Sequence, residues 1–191
     1  MNTSPYVRHH RKVRAAAALL ALAALPACGG QPAADPAAAA RPAPTTRFSE
    51  NGVTVTLSVT DWKASAGTLT AVFTPEAKGF HLYSTDLPAT GIEGVGRPTT
   101  VGVTGALAAQ GTLQAAAQVR SIRVPGVDAP VPVYPDGPVT TTLPVRADGN
   151  GDATVLIGYA SCSTQDGCTI PVSDRPVRLR VTGDGPAFEA S

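Results

Sequence analysis

The sequence predicts an all-β domain, an immunoglobulin-like antiparallel β-sandwich, and three observations lead there. Short stretches alternate apolar and polar residues with period two, as strands with one face on a core and one in water must. Turn formers separate them, with 19 Gly and 18 Pro among 191 residues. The repeated helical segments that an α/β fold requires do not occur. Seven or eight strands at this spacing fit a sandwich. Aromatic residues make up only 5% of the chain, so the core has to come mostly from Val, Leu, Ile and Ala.

Residues 53–59 (VTVTLSV) are the clearest strand, and residues 68–74, 79–84, 99–104, 139–145, 153–160 and 176–181 alternate in the same way. Residues 113–124 are mixed: the Ala-rich first half fits a helical turn, while 119–124 alternates as a strand. Residues 85–98 read as a loop carrying Gly91, Gly94 and Gly96. That spacing is not G-x-G-x-x-G and no helix follows, so the loop is no phosphate cradle. The run Asp148-Gly149-Asn150-Gly151-Asp152 opens like a calcium loop, but Ala153 and Tyr159 stand where an EF-hand needs its Gly and its closing Glu. A Gly-rich turn accounts for it. Trp62, just after the first of these strands, is expected in the core.

The N-terminus has a different character. Arg8, Arg11, Lys12 and Arg14 precede an apolar run of 11 residues, Ala15 to Leu25, and no acid occurs before Asp35. Such a run is too short for a membrane span, which takes about 20 residues, but it suits a secretory signal. Leu25-Pro26-Ala27-Cys28 resembles a bacterial lipobox, which makes residues 1–27 a lipoprotein signal peptide and Cys28 the lipidated residue. Residues 29–46 hold seven Ala and four Pro, a composition with little to bury, expected to be a disordered tether. The folded domain is then 47–184, with 185–191 as a tail. The expected location is extracytoplasmic, lipid-anchored to a bacterial membrane. From Cys28 onward 11 basic residues face 14 acidic ones, net −3, which argues against nucleic acid as a partner.

The chemistry concentrates at Tyr159-Ala160-Ser161-Cys162-Ser163-Thr164-Gln165-Asp166-Gly167-Cys168. With Cys28 assigned to lipid, Cys162 and Cys168 are the cysteines left to the domain. Their spacing at a strand end, with an Asp-Gly turn between, lets the chain fold back and bring the sulfurs together. Outside the cytoplasm such a pair tends to oxidise. Two uses remain open, a structural staple in a non-enzymatic immunoglobulin-like binding or assembly module, and thiol–disulfide exchange. The loop closed is short, and in the entropic account it stabilises by only about 2–3 kcal/mol, which favours exchange. His81 is the only histidine after the signal segment. With the two cysteines it makes three ligands, one short of a closed zinc site. Met1 is the only methionine, so no thioether copper site is expected, and no Ser-His-Asp set can be assembled. Neither metal nor cofactor is called for.

Three segments resemble the N-terminal domain of the thiol:disulfide interchange protein DsbD. Lys78-Gly79-Phe80-His81-Leu82-Tyr83-Ser84 looks like that family's Gly-aromatic-x-x-Tyr strand, with a loop running on to Gly96-Arg97-Pro98-Thr99. Val133-Tyr134-Pro135-Asp136 and Thr142-Leu143-Pro144-Val145 look like its middle strands, and Tyr159 to Pro171 like its Tyr-x-x-Cys segment. The likeness spans roughly residues 50–182. It implies an immunoglobulin-like fold that passes reducing equivalents to thioredoxin-like extracytoplasmic proteins. Cys168 would form the mixed disulfide and Cys162 would resolve it, with His81 and Tyr83 nearby. The family's cap loop would fall at residues 126–131, where Val127-Asp128-Ala129-Pro130 offers no aromatic, so shielding would be weaker or would pass to Tyr134 or Tyr83. The family's membrane electron-transfer and thioredoxin-like domains do not appear before Ser191. Electrons are therefore expected from a membrane thiol donor in trans.

Overall fold

The computed structural model describes residues 43–189. The signal segment, Cys28 and the tether up to residue 42 lie outside the described residues. In chain order the first strands are β1 (Thr45–Glu50), β2 (Val53–Lys63), β3 (Ala66–Pro75), β4 (His81–Leu82) and β5 (Thr100–Gly105). Then come β6 (Leu107–Ala109), β7 (Gln114–Ala115), β8 (Arg120–Ile122), β9 (Val131–Val133) and β10 (Val139–Ala147). The last are β11 (Gly151–Tyr159), β12 (Ser161–Ser163), β13 (Gly167–Cys168), β14 (Val172–Thr182) and β15 (Gly185–Phe188). All pairings are antiparallel, and the described residues contain no helix.

One sheet runs β1-β2-β3-β10-β6 with β7 also on β10, and a second runs β15-β14-β11-β5. Period two explains how they pack. Val53, Val55, Leu57 and Val59 on β2, Leu69, Ala71 and Phe73 on β3, and Leu143 and Val145 on β10 point inward. They meet Ala153, Val155, Ile157 and Tyr159 on β11 and Leu179 and Val181 on β14 in one continuous core. The predicted all-β sandwich is the observed architecture. A small sheet, β13-β12-β4, and a ribbon, β8-β9, add to this sandwich. The β12 strand continues directly from β11 after Ala160, and Tyr83 bridges to Val133, which joins the two additions.

The structure differs from the sequence expectation at identifiable places. Thr45 and Thr46, placed in the tether, already pair with Ser58 and Leu57 in β1. The signal was Asn51-Gly52: both residues have positive φ (47° and 75°), the two-residue hairpin turn that demands a strand on each side. Residues 185–191, placed in a tail, begin with β15, which pairs with β14. Residues 113–124 hold two short strands, β7 and β8, and no helical turn. Trp62 is only partly buried, packed on the core margin against Gly67 and Gly185.

Tyr159 ties the sandwich to the first strand. Its ring is fully buried, edge-on to Phe73 with centroids 5.7 Å apart, and its hydroxyl donates to the Glu50 carbonyl at 2.8 Å. Burial, reinforced by the Glu50 carboxylate, pushes its pKa up to about 12 from 10.0. Between those values the unfolded chain loses the tyrosine proton and the folded chain keeps it, so stability falls as pH rises through the window. The full effect is about 2–3 kcal/mol. Alkaline unfolding should therefore be less steep in Tyr159→Phe, and that variant should lose about 1 kcal/mol at neutral pH with the hydrogen bond. Denaturant titrations across that pH range test both, and equal slopes would refute the assignment.

Candidate redox site

The Cys162–Cys168 disulfide is present, as the sequence expected. The two residues are directly opposed on β12 and β13 with Cα atoms 4.0 Å apart. The Thr169 amide donates to the Ser161 carbonyl at 2.8 Å, the pattern that flanks a close, non-hydrogen-bonded pair. The turn between them is closed by Ser163, whose hydroxyl donates to the Asp166 carboxylate at 3.1 Å and accepts from the amides of Gln165 and Asp166. Gly167 sits at φ +84°, which only glycine adopts cheaply.

The two sulfurs live in different surroundings. Cys168 lies on the edge strand β13 and is exposed. Cys162 lies on β12 between β13 and β4 and is 5% exposed. It belongs to a second, smaller core with Tyr83, Leu87, Val131, Val133 and Ala160. The Tyr83 hydroxyl is 3.0 Å from Cys162 Sγ and 3.9 Å from Cys168 Sγ. Burial holds the Tyr83 pKa above its usual 10.0, so at neutral pH the phenol is a hydrogen-bond donor aimed at sulfur.

Several contacts keep Tyr83 in place. Its carbonyl accepts from the Thr99 hydroxyl at 2.7 Å, and the Ser84 amide donates to the Pro132 carbonyl at 3.1 Å. The 85–98 loop passes against the ring at Gly96, where a Cβ would come within 2.6 Å of the ring carbons. Arg97 clamps that loop by donating to the carbonyls of Thr90, Gly94 and Gly96.

His81 is 4% exposed and stands opposite Cys162 on the neighbouring strand. Its Nδ1 lies 3.5 Å from Asp136 Oδ1, and its ring is edge-on to Tyr83 with centroids 6.1 Å apart. Burial lowers its pKa below 6.5, against the opposing pull of the Asp136 carboxylate. A cavity of about 280 Å³ beside the disulfide is lined by His81, Tyr83, Ile122, Val124 and Pro125 together with both cysteines.

The other residues singled out from sequence lie elsewhere. Tyr134 is buried in the main core, its hydroxyl 3.0 Å from both the Thr85 amide and the Thr85 hydroxyl, so it belongs to the sandwich and shields nothing at the sulfurs. Asp128 is exposed, and its amide donates to Glu93 at 3.1 Å. Ile122 to Pro125 line the cavity beside the pair, and from the 126–131 segment expected to cap it Val127 and Val131 pack in the same small core as Cys162. Asp136 stands in the Val133-Tyr134-Pro135-Asp136 segment, and nothing in the order of residues there signals its contact with His81. Among the described residues no group of His, Cys, Asp and Glu is arranged to hold a metal.

No family model matches the chain, and no curated protein matches it. Among solved structures, the N-terminal domain of DsbD from Neisseria meningitidis, in its reduced form, is similar at 13% identity and a TM-score of 0.40. The match covers 78% of this chain and 90% of that one. It is the family whose segments the sequence resembles.

Proposed function

We propose that this protein exchanges thiols and disulfides with protein partners through Cys162 and Cys168, as a component of a protein-disulfide reductase system outside the cytoplasm. The observation that supports this most is the asymmetry of the pair: one sulfur on an exposed edge, the other buried against a phenol donor. A partner thiolate attacks Cys168 Sγ, the Cys162–Cys168 bond breaks, and its electron pair leaves on Cys162 Sγ, where the Tyr83 hydroxyl hydrogen-bonds the new thiolate. A second partner thiolate then attacks the partner sulfur bound at Cys168, which frees the Cys168 thiolate and leaves the partner oxidised. Run in reverse, the reduced pair passes two electrons to an oxidised partner. A buried staple would have no need of an exposed sulfur.

The partners that suit this chemistry are thioredoxin-like extracytoplasmic proteins on one side and a membrane thiol donor in trans on the other. Ile170, two residues beyond Cys168 and 75% exposed, offers them an apolar contact. Anchoring through lipidated Cys28 would hold the site near such a donor. Among the described residues no helix is long and apolar enough to cross a membrane.

The test is the reduction potential of the pair, measured in thiol redox buffers on a Cys28→Ser chain, which leaves Cys162 and Cys168 as its only cysteines. A value above about −250 mV places it among exchange-active disulfides, and one below about −300 mV marks a structural bond.

A further inference from the structure

His81 has features that the exchange scheme above does not use. Its Nε2 is buried and has no hydrogen-bond partner among the described residues, an arrangement that costs free energy unless the atom has work elsewhere. The register places it opposite Cys162, and Cys162 opposite Cys168. Directly opposed residues share a sheet face, so the imidazole, the buried sulfur and the exposed sulfur form a row across β4, β12 and β13. All three border the same aliphatic cavity. On the other side of the ring, Nδ1 meets Asp136, whose side chain is 55% exposed, with Arg120 3.8 Å from the same carboxylate oxygen. A carboxylate at Nδ1 keeps the proton there and leaves Nε2 with its lone pair.

We propose that His81 accepts the proton of the Cys162 thiol when the mixed disulfide at Cys168 is resolved, and that Asp136 positions it to do so. The proposal rests on the exchange function above. In the mixed disulfide the partner's sulfur is bonded to Cys168 Sγ and Cys162 is a thiol. Transfer of its proton to Nε2 leaves a thiolate. The thiolate forms the Cys162–Cys168 bond while the bond from Cys168 to the partner breaks, and that electron pair leaves on the partner's sulfur. The proton stays on His81 as an imidazolium paired with Asp136, and reaches solvent from the exposed side. In the opposite direction the imidazolium returns it to the departing Cys162 thiolate.

The groups around the site leave little alternative. Tyr83 keeps its proton and donates. Arg120, beside Asp136, and Arg123, on the cavity wall, are cations that cannot accept one. The Asp136 carboxylate is held at the far nitrogen. An imidazole that is neutral at neutral pH is the acceptor that remains.

The experiment uses the reduced Cys28→Ser chain and dithiobis(nitrobenzoate), whose thiolate is coloured. The first release reports attack by Cys168, and the second reports resolution by Cys162. In the native site the second rate should climb with pH to a plateau that begins below 6.5, the ordinary imidazole value, because the acceptor is then neutral. In His81→Gln the second rate, taken relative to the first, should fall about a hundredfold near neutral pH. It should then climb without a plateau toward the ordinary thiol range near about 8.5. Asp136→Asn, on an exposed side chain, should slow the second release about fivefold, the equivalent of one ordinary hydrogen bond. It should also move the plateau to lower pH, since the carboxylate raises the His81 pKa.

If the second release keeps its relative rate and pH profile in both variants, His81 is not the acceptor while exchange itself stands. Should His81→Gln fail to fold, an unchanged Asp136→Asn profile alone overturns the proposal. If the parent chain gives no second release at any pH, exchange fails and the role of His81 fails with it.

Discussion

A chain carrying Cys162→Ser should accumulate a stable mixed disulfide through Cys168 with oxidised thioredoxin-like proteins, and Cys168→Ser should accumulate none. The expectation follows from where the sulfurs sit. An incoming disulfide needs an open line to the attacking thiolate. Cys168 has that line on the edge of its small sheet. Cys162, 5% exposed, lies in the second core with Tyr83 above it and Val131, Val133 and Ala160 around it. Without Cys162 the bond at Cys168 has no internal thiol to release it, and it persists until an external reductant is added. Non-reducing electrophoresis of extracytoplasmic fractions, followed by identification of the trapped species, reads the outcome. Absence of any trapped thioredoxin-like protein with Cys162→Ser would count heavily against exchange. Trapping through Cys162 in the Cys168→Ser chain would reverse the assignment of the two sulfurs.

Tyr83→Phe should slow reduction of the disulfide by a small dithiol about 10- to 100-fold. The substitution keeps the ring, and with it the packing against Cys162 and the fit under Gly96. It removes only the hydroxyl 3.0 Å from Cys162 Sγ. A hydrogen bond to a charged acceptor is worth about 1.5–3 kcal/mol, and about 1.4 kcal/mol of barrier is a factor of ten. That donor matters most when charge arrives on Cys162 as the disulfide opens, and little in the oxidised ground state, where the sulfur is neutral. The same reasoning sets the pH behaviour. Burial holds the phenol proton above its usual 10.0, so the ratio of native to variant rates should stay constant through neutral and mildly alkaline pH. Stopped-flow reduction at matched pH measures it, and equal rates would show that the hydroxyl is a packing accident.

Much of the sandwich was legible from residue order alone. Residues 53–59, 68–74 and 139–145 alternate because each strand has one face on the shared core, and each lies within an observed strand, while 153–160 matches β11 up to Tyr159 and runs one residue past its end. Elements without that contrast were not legible. The β4 strand is two residues long, both buried, and β13 is two residues long, both exposed, so neither shows a period. The β15 strand, Gly-Pro-Ala-Phe, has no alternation to find and is held by its pairing with β14.

The candidate site divides along the same line. Composition and order by themselves determined that Cys162 and Cys168 are the cysteines of the domain, that an Asp-Gly turn lies between them, and that one histidine and one tyrosine stand two apart on one strand; that this strand lies near the pair was implied only by the family resemblance. Only the tertiary structure decided which sulfur is buried, because that depends on β4 pairing with one side of β12 and leaving β13 as an edge. It alone separated Tyr83, whose hydroxyl reaches the sulfurs, from Tyr134, whose hydroxyl lies beside Thr85. It alone brought Asp136, far along the chain, to the Nδ1 of His81. Local pattern records how each segment meets core and water, whereas register between distant strands is set by every pairing at once, and no short stretch of sequence encodes it.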